Sequence, residues 1–366
     1  VKLNRAAWLA AGENPVGAMG PIDWEWAGPI PGPSSHPNHS SALAHRETLG
    51  RQLDDAAAMG MIEYLPAGMA QQDFVTCILP LGAREKPNGS VRMLVDPSLA
   101  LPDGAGSLNS RLQHLPCQLT SVEHIFSRVT PMTVFGKRDL MNGFFHCVLS
   151  PDARKFMGLA HPVTGRVGRW VVLPQGTSQS PALFCAVSNA ASRIFNRAFQ
   201  AAGLSTEVHV FVDDFILLAL CHADMSRAFE IMDGLCMEHD GKPGLGLEWN
   251  PKKDLGRDVP LNTVEALGIT FDAPSLTLHL PAAKRDQYLS DLCAFCASFR
   301  AQPTCPRKPL ERLLGRLVFS CKVCRWGYLF VQALIDALFP GFQGRPTSIP
   351  LTSMRSGRTW SSGRAP

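Results

Sequence analysis

The stretch EVHVFVDDFILLAL, Glu207 to Leu220, places two adjacent acids inside an otherwise apolar run. A lone carboxylate among apolar neighbours is expensive to desolvate. Two neighbouring carboxylates also repel, by roughly 3 kcal/mol at ~6 Å with an effective dielectric near ~20. A bound divalent cation would compensate both costs. A plain Asp-Asp turn is the other reading, because Asp is favoured in turns of any kind. Within EVHVFVDD the period is two, with Val208, Val210 and Val212 facing one way and His209, Phe211 and Asp213 the other. The acids therefore fall where two apolar strands meet, and a hairpin tip would carry both at one edge of a buried sheet.

Working outward, TVFGKRDLMNGFFHCVL places Asp139 at the end of another apolar strand, far upstream. If the two strands are neighbours, three carboxylates converge. Such a cluster suits two Mg²⁺ ions, which prefer oxygen ligands. Two metals about 4 Å apart activate an attacking hydroxyl and stabilise the leaving oxygens of an in-line phosphoryl displacement.

The flanking segments give the frame. ALAHRETLGRQLDDAAAMGMIEYL reads as a helix ending near Gly60, and its Asp54-Asp55 pair as a solvated face. DFVTCILPL and VRMLVD read as strands joined by the turn signal Pro-Asn-Gly. MTVFGKRDL and FFHCVLS read as a second strand pair. SPALFCAVSNAASRIFNRAFQAAG is a long helix with Pro181 in its first turn and Gly203 past its end. A further helix follows from Ala223. VEALGITFD and LTLHL add short strands, and the pattern from Ala282 to about Phe339 is mostly helical. The order is α+β, not alternating βα units.

Composition narrows the class. A chain of 366 residues with 45% hydrophobic content supports a sizeable core and more than one subdomain. Its 35 basic and 31 acidic residues leave a net charge of +4, only weak evidence for a polyanionic partner. The 11 cysteines are scattered through apolar settings, which reads as a reduced intracellular protein of nucleus or cytoplasm, not a secreted disulfide scaffold. No signal-peptide pattern opens the chain and no apolar run reaches the ~20 residues of a membrane span. The first residue is Val, as in a fragment of a longer product.

FVDD (Phe211 to Asp214) resembles the [F/Y]-x-D-D signature of reverse transcriptases. Further blocks agree in the order of that family: KPNGSVRMLVD with the fingers hairpin, KRDLMNGFF with the first catalytic block, LPQGTSQSPALF with the block opening the palm helix. GLEWNPKKD resembles the lysine block and EALGITFD the primer-grip strand. LDDAAAMGMIEYLPAG resembles the segment before the fingers in retroelement polymerases. The resemblance covers roughly residues 45–340 and implies a right-hand polymerase of fingers, palm and thumb, with an antiparallel palm sheet packed on helices. It would extend a primer on an RNA or DNA template with dNTPs, using two Mg²⁺ ions for which Mn²⁺ can substitute.

Site residues follow as what the resemblance implies. Asp139 and Asp213 would hold both metals, the Leu140 carbonyl would add a ligand, and Asp214 completes the acid set. Lys86 and Arg92 would clamp the triphosphate, Arg by bidentate contact and Lys as a point charge. Phe144, five residues after Asp139, stands where the family places its sugar gate; a core phenylalanine is the alternative. Gln175 and Gly176 match nucleotide and template contacts. Lys253 would donate a proton to the pyrophosphate leaving group, although Lys252 is adjacent.

The C-terminal helical part carries Arg300, Arg307, Lys308, Arg312, Arg316, Lys322 and Arg325 against one acid, Glu311. Arg307, Lys308, Arg312 and Arg316 suit a thumb tracking a nucleic-acid backbone, with Arg312 and Arg316 sharing a helix face. A solvated helix would carry the same charges. The pairs Cys293/Cys296 and Cys321/Cys324 have C-x-x-C spacing, but they lie in helical, apolar patterns that suit small buried hydrophobes better than zinc.

LERLLGRLVFSCKVCRWGYLFVQALIDAL resembles the thumb helices of DIRS-type elements and their long-terminal-repeat relatives. The chain stops near SIPLTSMRSGRTW, so a following ribonuclease H domain is expected to be absent. Three departures from the family pattern stand out: extra residues between Asp96 and Leu108, Asp254 where Cys or Ser is frequent, and no Phe after Pro174. They leave open a decayed, nucleic-acid-binding copy of a mobile element. The expected organisation is a disordered arm over 1–43, fingers and palm over 44–280, a helical thumb over 281–340 and a disordered Arg-rich tail over 341–366.

Overall fold

The computed structural model describes residues 3–86, 88–238, 243–301, 304–324, 326–338 and 348–350. The chain forms two compact units. The first comprises Val1–Thr120 and Val134–Leu261, the second Ser121–Thr133 and Asn262–Pro366. The unit boundary departs from the expected break at 280. Residues 262–280 pack with the C-terminal helices, and Ser121–Thr133 joins them from far upstream.

In chain order the first unit contains helix α1 (Arg5–Ala10), helix α2 (Arg46–Ala58) and the hairpin β1 (Leu81–Glu85) and β2 (Val91–Val95). After the excursion into the second unit come β3 (Val134–Asp139), helix α3 (Ser180–Ala201), β4 (Glu207–Phe211), β5 (Asp214–Ala219) and helix α4 (His222–Cys236). Strands β3, β5 and β4 form an antiparallel sheet in that order. Alternation sends Arg138, Phe215, Leu217, Val208 and Val210 to one face. There α3 and α4 cover them: Phe195 meets Phe215 edge-on at 5.9 Å, and the Ser192 hydroxyl donates to the Val208 carbonyl at 3.0 Å. The packing leaves no room at Gly136, where a Cβ would lie 2.5 Å from Met225 Sδ and 3.0 Å from the Phe229 ring.

Several expectations are corrected. Residues 3–43 are not a disordered arm. Trp8 is completely buried and its indole N–H donates to the Leu245 carbonyl at 2.9 Å, while Ile22, Trp24 and Ala42 join the main core. The Pro/Gly/Ser composition between these anchors hides them, because a few large apolar side chains at wide intervals suffice to hold an irregular segment. Phe144–Ser150 does not pair with β3. Asn142 takes a left-handed conformation (φ 58°), and the chain turns through a 3₁₀ helix, Gly143–His146, leaving β3 to pair with β5. Asp73–Leu81 is not one strand either: Gln71–Phe74 is helical and Cys77–Ile78 belongs to a second sheet. That sheet runs Ser34–Ser35, Cys77–Ile78, Gly158–Ala160, Val167–Trp170, Ile62–Tyr64. The expected hairpin after it is present as β1 and β2, although Pro87 of its turn lies outside the described residues.

In the second unit, VEALGITFD folds as two strands, β6 (Thr263–Ala266) and β7 (Ile269–Asp272), with β8 (Thr277–His279) completing a meander. Consecutive positive φ at Leu267 (52°) and Gly268 (71°) fit the two-residue turn that matches strand twist. The Phe126 ring, from Val122–Phe126, meets Phe271 at 6.4 Å. Helices α5 (Ala282–Ala301), α6 (Arg307–Ser320) and α7 (Gly327–Leu338) follow, and Leu310, Leu314, Cys321 and Val331 form a small core. Of the expected disordered tail over 341–366, only Ser348–Pro350 is described, as a strand antiparallel to Thr304–Pro306; the rest lies outside the described residues. No helix among the described residues is long and apolar enough to cross a membrane.

Candidate active site

Strand register brings the acids together. Asp139, the last residue of β3, lies directly opposite Asp214, the first residue of β5. Directly opposed residues in an antiparallel pair sit ~4.5–5.5 Å apart at Cα. Asp214 also opposes Phe211, so Val212 and Asp213 are a two-residue turn. Val212 has φ 59°, a left-handed conformation that a β-branched residue adopts only under strain. The Leu140 N–H donates to the Asp213 carbonyl at 3.3 Å, tying the end of β3 to this turn. Burial pushes the Asp213 carboxyl above the ordinary aspartate range, and the charges of Asp139 and Asp214 push it further.

Two lysines meet the acids on the face of the sheet opposite Arg138 and Phe215. Lys253 Nζ lies 2.8 Å from Asp139 Oδ2, and Lys137 Nζ lies 3.1 Å from Asp214 Oδ1. Lys253, not Lys252, makes the contact, because the Asn250 N–H donates to the Asp139 carbonyl at 2.9 Å and a 3₁₀ turn, Pro251–Lys253, follows at once. Lys137 was not singled out from sequence, yet strand alternation from Asp139 puts it on the same face. Among the described residues no group of three or more His, Cys, Asp or Glu is arranged to hold a metal ion. The expected ligand trio is therefore adjacent but not assembled, and lysines neutralise two of its members. Its donor set is all oxygen on one sheet edge, which fits Mg²⁺ chemistry.

Phe144 lies close beside this edge. A Cβ on Gly143 would sit 3.3 Å from Asp213 Cβ and 3.2 Å from the Phe184 ring, and Phe144 stacks on that same ring at 4.9 Å. Phe145 stacks instead on Trp170 at 5.4 Å. Gln175 and Gly176 are exposed at the head of α3. Gly176 is obligatory: its φ is 124°, and a Cβ would lie 2.5 Å from the Val95 carbonyl at the end of β2. Asn109, missed from sequence, locks this loop by donating to the Gly176 carbonyl at 3.0 Å and accepting from the Ser178 N–H at 2.8 Å. Lys86 and Arg92 are both exposed on the hairpin, and Arg92 opposes Arg84 across it.

The basic C-terminal residues are split. Lys308 and Arg312 are exposed. Arg307 bonds Glu311 at 2.7 Å, and Arg316 is ion-paired with Asp291, so both are half-buried and turned to acids. Arg312 and Arg316 therefore do not present one free basic face. Asp291 lies on the preceding helix, beyond the local stretch in which charges were counted. Arg325 and the side chain of Arg300 lie outside the described residues. Cys321 is buried in the small core, while Cys293, Cys296 and Cys324 are exposed.

The family model described as "Reverse transcriptase (RNA-dependent DNA polymerase)" matches residues 86–255. Residues 86–255 of this chain match a reverse transcriptase domain. The match spans the whole acid cluster, from Lys86 of the hairpin past Lys253. Three solved structures of foamy viral protease-reverse transcriptase are similar to the chain. One, in complex with RNA/DNA hybrid, has a TM-score of 0.62 at 17% identity and covers 94% of this chain and 38% of that one. A second, a dRH form in complex with dsDNA, has a TM-score of 0.62 at 17% identity over 92% of this chain and 51% of that one. A third, also with dsDNA, has a TM-score of 0.55 at 18% identity over 87% of this chain and 62% of that one. The chain thus spans less than two thirds of each. The likeness shows the fold, a right-hand polymerase with an antiparallel palm sheet. No curated protein sequence matches the chain.

Proposed function

We propose that this chain carries out template-directed DNA synthesis for a retroelement. The supporting observation is the opposition of Asp139 and Asp214 across β3 and β5, with Asp213 in the connecting turn. When bound, a pair of Mg²⁺ ions supplies activation of the primer hydroxyl and charge neutralisation at the triphosphate. Asp139, Asp213, Asp214 and the Leu140 carbonyl would hold them. Phe144, kept in place by Phe184, would close the pocket to a ribose 2′-hydroxyl. Lys86 and Arg92 would hold the triphosphate, and the loop at Gln175 and Gly176 would set the incoming nucleotide against the template. Lys253 would leave Asp139 and give its proton to the departing pyrophosphate oxygen. Lys308 and Arg312 would meet the nucleic-acid backbone. The partners are a primed RNA or DNA template and dNTPs, and the element is of DIRS or long-terminal-repeat type by its motifs. The ten cysteines whose side chains are described are unpaired, in keeping with a reducing intracellular compartment.

The lysine pairs favour a second reading, a nucleic-acid-binding relic whose acids are held by Lys137 and Lys253. Primer extension on an oligonucleotide-primed RNA template, with Mg²⁺ and then Mn²⁺, separates the two. Incorporation that disappears in Asp213→Ala supports the polymerase. Template binding without incorporation under either metal supports the relic.

A further inference from the structure

The side of β3 turned away from the acids carries a second charge pair. Arg138 is 2% exposed, and it grips Asp254 with two nitrogens, Nε to Oδ1 at 3.3 Å and Nη2 to Oδ2 at 2.9 Å. Its Nη1 reaches Asp233 at 2.8 Å, and its guanidinium lies 4.4 Å from the Trp249 ring centre and 4.8 Å from that of Phe229. A buried arginine needs such partners, since an unpaired charge there would be costly. The chain neighbours of this pair are the working residues. Arg138 precedes Asp139, and Asp254 follows Lys253. Inside the sheet Arg138 holds Asp254; outside it Lys253 holds Asp139.

We infer that Arg138 and Asp254 are positioning residues: a buried strut that fixes the rotation of the Pro251–Asp254 turn so that Lys253 is delivered to Asp139. Backbone bonds already tether both ends of the turn to β3, Asn250 N–H to the Asp139 carbonyl and Leu255 N–H to the Lys137 carbonyl, each at 2.9 Å. Those tethers fix where the turn starts and stops. Between them the Arg138 fork is the side-chain contact that draws residue 254 inward, and its neighbour Lys253 then points outward. Asp254 is the position flagged by sequence as departing from the common Cys or Ser. Its departure is matched by an arginine inside a strand that is otherwise apolar on that face. Arg138 and Asp254 belong to one device.

The inference rests on the polymerase reading for its consequence in catalysis, but the contact can be read without any activity. Lysine acetylation of the intact chain, followed by peptide mass spectrometry, measures how well Lys253 is held. Asp139→Asn sets the released level. Asp254→Asn should raise Lys253 labelling to that level while Lys252 is unchanged. Arg138→Leu combined with Asp254→Leu removes both charges, so the core can repack; it should melt close to the parent and still release Lys253. Asp233→Asn, which takes the other carboxylate from Arg138, should leave Lys253 protected. In primer extension, Asp254→Asn should lower kcat about tenfold with little change in KM, and add no further loss in a Lys253→Ala background. Lys253 remaining protected in both Asp254 variants overturns the strut, as does equal release by Asp233→Asn. A chain that incorporates nothing leaves the labelling result standing and counts against the polymerase reading alone.

Discussion

Asp139 and Lys253 are joined by a 2.8 Å ion pair, with the carboxylate buried and the lysine half-exposed. Without that cation Asp139 would face Asp214 and the raised Asp213 in a partly desolvated setting. Under the proposed function a divalent ion would compete with Lys253 for Asp139, and metal binding would be linked to lysine release. Asp139 affinity for Mg²⁺ should therefore increase in Lys253→Ala, measured by calorimetric titration, even as any proton donation is lost.

Asp213 offers a test of sign. Its carboxyl titrates above the ordinary range because of burial first and Asp139 second. The folded state therefore binds the proton more readily than the unfolded chain, whose aspartates titrate near ~3.9. The penalty is absent below that unfolded value, grows as pH rises through the folded one, and is complete above it. Asp213→Asn should unfold at higher denaturant than the parent at neutral pH, and the advantage should vanish below about pH 4. An advantage that grows on acidification would contradict this electrostatic account.

Val212 holds strain at the turn that presents Asp213. A left-handed β-branched residue costs about 1–3 kcal/mol, against roughly 0.5–1 kcal/mol for the extra freedom of glycine. Val212→Gly should therefore gain about 1 kcal/mol in urea unfolding while incorporation falls, because the acid is held less firmly.

Phe144 is backed by Phe184 at 4.9 Å. Phe144→Ala should lower discrimination against ribonucleotides by roughly tenfold or more, read from matched single-nucleotide extension assays with dNTP and rNTP. Unchanged sugar preference would remove Phe144 from the gate and return it to the core.

Trp8 tests the revised N-terminal segment. It is completely buried and bonded to Leu245. Trp8→Ala should cost about 3–5 kcal/mol, seen as a clear drop in Tm. A truly loose arm would show no change.

The local patterns that could be read in the sequence were those with a strong period or a turn signature. The Glu207–Leu220 hairpin, helix Ser180–Ala201 and the Pro-Asn-Gly hairpin obey a period of 2 or 3.6 and carry their own stops. What escaped needs long-range contact. Ile22 looks like a loop residue until the Val148–Ser150 backbone is placed beside it, and Trp24 until its indole N–H meets the Ala153 carbonyl. Phe144–Ser150 has the apolar composition of a strand, yet Asn142 turns it away. At the acid edge Asp139, Asp213 and Asp214 were legible because each ends or joins an apolar strand. The ion pair of Arg316 with Asp291 was not, since its partner lies on another helix. Asp254 was noticed only as an oddity; its meaning required Arg138.

The insertion of Ser121–Thr133 into the second unit has a consequence for synthesis of the chain. The ribosome delivers Phe126 early and its ring partner Phe271 only after all of β3, β4 and β5 have emerged. The second unit must wait, with its first piece exposed, until the sheet bearing the acids has been made. A clean cut after Leu261 would leave that first piece stranded, so the two bodies cannot be separated by a single scission.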